Sequence, residues 1–217
     1  MTSPGPSGVR RDQARTRLAR AAVVGAARTL FLERGYGATT IDAISELADV
    51  PAATVYRLFS SKHGILKALL DASIVGDDEN VPMADRPQVR TLLAERDPRE
   101  LLAGFVAITA QVNARVAPLY RVLVSAAGTD PDAAALLDTL TAQRQQGQRL
   151  VARALARAGA LRPEVRERDA ADIIHALLSP ELYRLLVIDR GWKPERYQPW
   201  LAQTLADQLL PPMPAAS

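Results

Sequence analysis

The chain has 217 residues, and 48% of them are apolar, enough for a packed core and too many for a disordered chain. Cysteine is absent, which excludes disulfides, thiolate catalysis and cysteine metal sites and fits a reducing cytoplasm. Net charge is +3, yet residues 10–67 hold ten Lys/Arg against five Asp/Glu. The first third therefore stands at +5 and the remainder at −2, an asymmetry that suggests a polyanion partner for that third alone.

The opening MTSPGPSGVR lacks the apolar centre of a signal peptide and reads as a flexible tail over residues 1–10. Arg10, Arg11, Arg15 and Arg17 read as a solvated helix start or a disordered tail, with an arm touching a DNA minor groove as the alternative. A first helix is expected over about 11–34, with Leu18, Ala22, Ala26, Leu30 and Phe31 as its apolar stripe and Gly35 ending it. Thr40 is placed to cap a second helix whose buried face is Ile41, Ile44, Leu47 and Ala48. Asp49 stands at a turn that needs an open or left-handed backbone, and Pro51 suits the start of a third helix running to about Leu58. Val55 and Phe59 point inward from it. A fourth helix starts near Ser61 with Ile65, Leu66, Leu69 and Leu70 on one stripe. Helices of two turns are too short to stand alone, so these four should form one small domain over residues 11–73.

The stretch GDDENVPMADRP is polar and broken by Gly and Pro, and residues 74–97 read as a linker. Helices are then expected from about Pro98 to Val116, from Pro118 onward, from Asp130-Pro131 to Gly159, from about Arg168 to Arg190 with a kink at Ser179-Pro180, and from near Pro194 to before Pro211. Residues 98–210 make the larger domain and residues 211–217 a second tail. No strand alternation and no internal repeat appears, and no apolar run approaches the about 18 residues that span a bilayer, so a membrane partner is not expected. The fold class is all-α.

Two short helices across a tight break fit a helix-turn-helix, whose second helix enters the major groove. Ala52, Ala53, Thr54, Tyr56 and Arg57 fall on or near the outward face of that second helix. Small side chains permit close approach to base edges, and alanine can meet a thymine methyl. Thr54 and Tyr56 offer hydroxyls to phosphate, Arg57 reaches phosphate or guanine, and Lys62 lies at a helix start that already favours an anion.

The segment FLERGYGATTIDAISELADVPAATVYRLFSSKHGIL resembles the DNA-binding domain of TetR-type transcriptional regulators. Phe31, Gly35-Tyr36, Thr39-Thr40, Ile44, Ala48, Val50, Thr54-Val55-Tyr56, Phe59 and Ser61-Lys62 carry the resemblance, which covers about the first third. It implies an N-terminal helix-turn-helix domain, a C-terminal effector-binding and dimerisation domain, and a homodimer on a pseudo-palindromic operator, usually repressing until a small molecule binds. It also implies that Thr40, Thr54, Tyr56 and Lys62 touch the DNA backbone, and that Ala52, Ala53 and Arg57 are available to bases or backbone. Asp49 in place of a frequent turn glycine, Pro51-Ala52-Ala53, and Leu58 depart from the usual pattern, so the operator sequence stays open.

In the last two predicted helices Leu177, Leu178, Leu182, Leu185, Leu186, Trp200, Leu201 and Leu205 exceed one buried stripe. They are read as a four-helix dimer interface, with ordinary core as the alternative. Polar or aromatic residues on apolar middle helices mark candidate effector contacts: Phe105, Thr109, Gln111, Asn113, Tyr120, Leu123, His175 and Tyr183. His175 has no second His or Cys nearby, so no metal site is expected, and no cofactor is implied. No Gly-rich phosphate loop, nucleophile motif or His/carboxylate spacing supports an enzyme. A ligand-responsive repressor of double-stranded DNA is the leading reading. A DNA-bound scaffold whose larger domain holds a protein partner, without an effector, is the alternative.

Overall fold

A computed structural model describes residues 6–76 and 86–212, with side chains from Gln13 onward. Residues 77–85 of the predicted linker, residues 1–5 and 213–217 of the tails, and the side chains of Arg10 and Arg11 lie outside the described residues. Among the described residues every regular element is helical. The chain divides into two compact units: residues 1–73 with 121–136, and residues 74–120 with 137–217.

In the first unit, α1 (Pro6–Ala38) contains one non-helical residue, Gly35, at φ 78° and ψ 168°. This is a backbone conformation that glycine adopts without cost, and it turns the chain toward α2. The helical backbone begins at Pro6, inside the stretch read as a tail. Burial on α1 starts at Val23 and continues through Ala26, Ala27, Leu30 and Phe31, while Leu18 and Ala22 face solvent. The partner helices are short: α2 (Ile41–Ala48) and α3 (Ala52–Phe59) have 8 residues each. Each spans about 12 Å, so neither can cover the early turns of α1.

Thr40 caps α2, its hydroxyl accepting from the Ala43 N–H at 3.1 Å. Ile44 is the buried residue of α2, and Leu47 is exposed, against expectation. At about 100° per residue Leu47 lies beyond Ile44, away from Ile41 and Ala48. Asp49 adopts the left-handed conformation, φ 51° and ψ 42°. The Val50 carbonyl beyond it accepts from the Ser45 hydroxyl at 2.6 Å. Pro51 is the N-cap of α3 rather than its first helical residue. Helix α4 (Lys62–Val75) begins one residue after Ser61, whose hydroxyl accepts from the Gly64 N–H at 3.1 Å.

In the second unit, α5 (Pro87–Leu93) occupies part of the predicted linker. Helix α6 (Pro98–Ala127) runs without interruption through Pro118, where two helices were predicted. Proline removes one backbone bond, and the buried neighbours Val116, Ala117 and Leu119 hold the segment in line. One 18-residue window of α6 is apolar enough to cross a membrane by length and composition, yet Leu101, Leu102, Val106, Ala110 and Ala117 are spent in the core of the unit. Asp130 caps α7 (Pro131–Arg157), its Oδ1 accepting from the N–H groups of Asp132 at 2.9 Å and Ala133 at 3.1 Å. The ends of α6 and α7 that flank this cap belong to the first unit, although the sequence places them with the larger domain.

The helix predicted over 168–190 is broken, not kinked. Helix α8 (Glu167–Leu177) stops, Ser179 caps the four-residue α9 (Pro180–Tyr183), and a π-helical turn follows over Arg184–Asp189. The pre-proline residue disfavours helical backbone, and Ser179 takes the extended conformation instead, φ −72° and ψ 148°. Helix α10 (Pro194–Leu209) completes the unit.

Candidate functional site

Helices α2 and α3, with the left-handed Asp49 between them, present a helix-turn-helix. Val55 and Phe59 anchor α3 in the core, which turns the opposite face outward. On that face Ala53, Tyr56 and Arg57 are exposed, with Ala52 and Thr54 half-buried beside them. Tyr56 is the large exposed aromatic here, at 52%. Its hydroxyl has no partner among the described residues and can donate to a phosphate oxygen.

The far end of α3 is held by a residue that sequence reasoning did not single out. Arg20 on α1 donates to the Leu58 carbonyl at 2.9 Å and stacks its guanidinium over the Phe59 ring at 4.6 Å from the centroid. A cation at the C-terminal carbonyls of α3 is favoured by the helix dipole. The signal in sequence was weak, because one arginine among many on α1 carries no mark of its role.

Lys62 is placed differently from expectation. Its ammonium donates to the Tyr36 carbonyl at 2.8 Å and the Thr39 carbonyl at 2.9 Å, and lies 4.2 Å from the Tyr36 ring centroid. Burial lowers its pKa, with the Asp130 charge opposing that shift. Two of its three N–H donors are thus spent on the α1–α2 junction, so Lys62 braces the domain before it can serve DNA. The buried Thr39 hydroxyl reinforces that junction, donating to the Gly35 carbonyl at 2.8 Å. Thr40 remains exposed, and its cap bond to Ala43 uses the oxygen as acceptor, which leaves the O–H to donate.

The predicted effector residues scatter. Leu123 belongs to the first unit and the other seven to the second. Gln111 is exposed, and Phe105 and Thr109 are half-buried. Asn113 is buried, and its Nδ2 donates to the Leu178 carbonyl at 3.2 Å, satisfying the chain where α8 breaks. Tyr183 packs edge-on against Tyr197, with ring centroids 5.3 Å apart, and burial raises the pKa of both phenols. Two grooves of about 450 and 390 Å³ lie elsewhere in the second unit, one beside Pro194, Gln198 and Pro199, the other beside Arg96, Leu101 and Leu155.

Tyr120 and His175 do come together, joined by Arg144 and Gln148, which sequence reasoning missed. The Arg144 Nη2 lies 3.0 Å from His175 Nε2, and His175 Nδ1 lies 2.7 Å from the Gln148 Oε1. Arginine can only donate, so Nε2 accepts and the proton sits on Nδ1, donating to Gln148. Burial lowers the His175 pKa and the Arg144 charge lowers it further, so the ring is neutral. The Tyr120 hydroxyl lies near Thr141 and Glu181, and its pKa is raised first by burial and then by the Glu181 charge.

The predicted dimer residues also divide. Leu178, Leu201 and Leu205 are sealed within the core of their own chain and offer nothing to a second copy. Leu182 and Leu186 are half-buried, while Leu185 and Trp200 remain exposed, together with Ile188, which the sequence reading omitted. Trp200 meets Trp192 edge-on at 5.4 Å between centroids.

A family model of bacterial regulatory proteins of the tetR family matches residues 23–69, the span from the first buried turn of α1 into α4. The chain is 26% identical over 167 residues to the uncharacterized HTH-type transcriptional regulator YdeS of Bacillus subtilis strain 168, covering 76% of this chain and 77% of that protein. It is 44% identical over 48 residues to YvkB of the same organism, also an uncharacterized HTH-type regulator, covering 22% and 25% of the two. Among solved structures, NalD, the secondary repressor of the MexAB-OprM efflux pump in Pseudomonas aeruginosa, is similar with a TM-score of 0.67 at 22% identity, covering 88% of this chain and 96% of that one. A transcriptional regulator of Saccharomonospora viridis, solved with choline, is similar with a TM-score of 0.66 at 20% identity, covering 89% and 98%.

Proposed function

We propose that this chain, whose residues 23–69 match the model of bacterial regulatory proteins of the tetR family, is a homodimeric repressor of that kind, acting in the cytoplasm and released from its operator by a small molecule. The observation that carries the DNA-facing half is the outward face of α3. The Tyr56 and Arg57 side chains are exposed and have no partner among the described residues, beside the small Ala52 and Ala53. In a dimer, two such helices would enter successive major grooves about one helical turn apart. Thr40, Thr54, Tyr56 and Arg57 would hold phosphates, and Ala52 and Ala53 would meet base edges.

The dimer surface would use Leu182, Leu185, Leu186, Ile188 and Trp200, the apolar residues of α9, the π turn and α10 that the core of one chain leaves at least partly uncovered. The effector would bind the second unit, where Tyr120, Arg144, Gln148 and His175 form a half-buried polar cluster beside an apolar core. A ligand that prefers the DNA-incompetent form shifts the population toward it. The test is operator binding by the full chain with and without candidate ligands, alongside sedimentation. A dimer whose DNA affinity falls on adding a ligand supports this reading. Unchanged affinity across a broad ligand panel would favour the scaffold alternative.

A further inference from the structure

The cluster around Arg144 contains a donor that nothing answers. Arg144 projects from α7 into the second unit, and its Nη2 is spent on His175. Its Nη1 is sealed from solvent and meets no acceptor among the described residues. No carboxylate among the described residues forms an ion pair with it: Glu181 acts on it only through space and lies near the Tyr120 hydroxyl. A guanidinium nitrogen sealed from water on a half-buried arginine without an ion partner is costly, and an arrangement that retains it calls for an anion. The neighbouring groups are already committed. Gln148, 3% exposed, accepts from His175, and the Asn113 amide is bound to Leu178.

We propose that this cluster is where the effector's anionic group sits, and that the effector is a monocarboxylate with an apolar body; this rests on the effector-responsive reading above. Nη1 brings two N–H donors and Nη2 retains one, a fork that matches the two oxygens of a carboxylate. An ammonium has no acceptor for that fork, and a neutral carbonyl accepts from it without answering its charge. The body must be apolar because the adjoining turns of the same helices carry Ala117, Val151, Ala152 and Ile174, all buried. Entry falls to the wall that carries Glu181. That wall is the four-residue α9, held between the break at Leu178 and the π turn at Arg184–Asp189, with few α-helical bonds of its own. An incoming carboxylate repels Glu181 and so bears directly on α9.

The experiment uses the full chain and a series of straight-chain carboxylates from acetate to decanoate, each paired with the alcohol of equal length, with sodium chloride and phosphate as inorganic controls. Binding is read by calorimetry, and operator release is read separately. At least one carboxylate is expected to bind about tenfold or more tightly than its alcohol. Arg144→Gln, which keeps an N–H donor for His175, should remove that preference while helical content and DNA binding remain. If Arg144→Gln does not fold, Arg144→Lys, which keeps the charge without the fork, should reduce the preference instead. Carboxylates no better than alcohols throughout, or a preference undiminished in Arg144→Gln or, where that does not fold, in Arg144→Lys, would overturn the proposal. So would saturation by chloride or phosphate alone. Release of DNA by alcohols as well as carboxylates would remove the anion assignment and keep the effector reading. Carboxylate binding lost in Arg144→Gln, without any effect on DNA, would keep the site and remove the release reading.

Discussion

The Tyr36 phenol interacts with the Asp130 carboxylate, linking the end of α1 to the N-cap of α7 within one compact unit. Burial and the Asp130 charge push the Tyr36 pKa up to about 12, so the phenol stays protonated. Asp130 is held below the usual carboxylate range, first by the backbone N–H of Ala133. One carboxylate thus starts α7 and anchors the turn that leads into α2 and α3. Tyr36→Phe should cost about 1 kcal/mol, the worth of a typical hydrogen bond. Urea denaturation checks this, with helical content before the transition unchanged.

Lys62 should matter more for stability than for DNA contact. Lys62→Met removes two charge-assisted bonds to carbonyls and the cation over Tyr36. A loss of about 1–2 kcal/mol is expected, discounted for partial exposure. At temperatures where the variant is still folded, the salt dependence of its DNA binding should match that of the parent chain. A slope smaller by a full unit would instead place the ammonium on phosphate.

Gly64 lets α4 pass against the end of α3. A Cβ there would stand 2.0 Å from the Phe59 carbonyl oxygen, a backbone atom that cannot turn aside. Gly64→Ala should therefore destabilise by about 1–3 kcal/mol through overpacking. Thermal melting is the check, and Gly147→Ala, with open space around it, serves as the control.

Much of this first domain was legible because its chemistry is local. Thr40, Asp49 and Gly35 announce a cap, a left-handed turn and a helix end within a few residues of sequence. The braces were not legible. Arg20 reaches Leu58 across 38 positions and Lys62 reaches Tyr36 across 26, and a lysine that stacks on a tyrosine looks in sequence like one bound for phosphate. Pro118 misled for a related reason, since the cost of a proline is local while the packing that overrides it is not. The leucines of the last helices read as interface because composition cannot separate Leu178, sealed in its own core, from Leu185, left outside. His175 stood out as a lone polar residue, but its partners Arg144 and Gln148 lie on another helix, 31 and 27 positions away.

His175 gives stability a pH dependence of known sign. Its pKa is lowered in the folded chain, by burial first and then by Arg144, so the unfolded chain binds the proton more readily. The contribution is fully present above the unfolded value, about 6.5. It is lost as pH falls through the lowered folded value, when a charged ring would face Arg144. Melting temperatures from pH 7.5 to 5 should fall more for the parent chain than for His175→Gln. Equal slopes would remove His175 as the cause.

The measurement that bears most directly on the DNA-facing helix is selection of bound sites from random duplexes by the full chain, repeated for Tyr56→Phe and Arg57→Ala. Both side chains are exposed, so neither change should disturb the fold. A two-fold symmetric consensus is expected, with half-sites about one helical turn apart. Tyr56→Phe should bind it about fivefold more weakly, and Arg57→Ala should lower the salt slope by about one. An enriched site bound equally well by all three proteins would contradict the assignment of α3 as the reading helix.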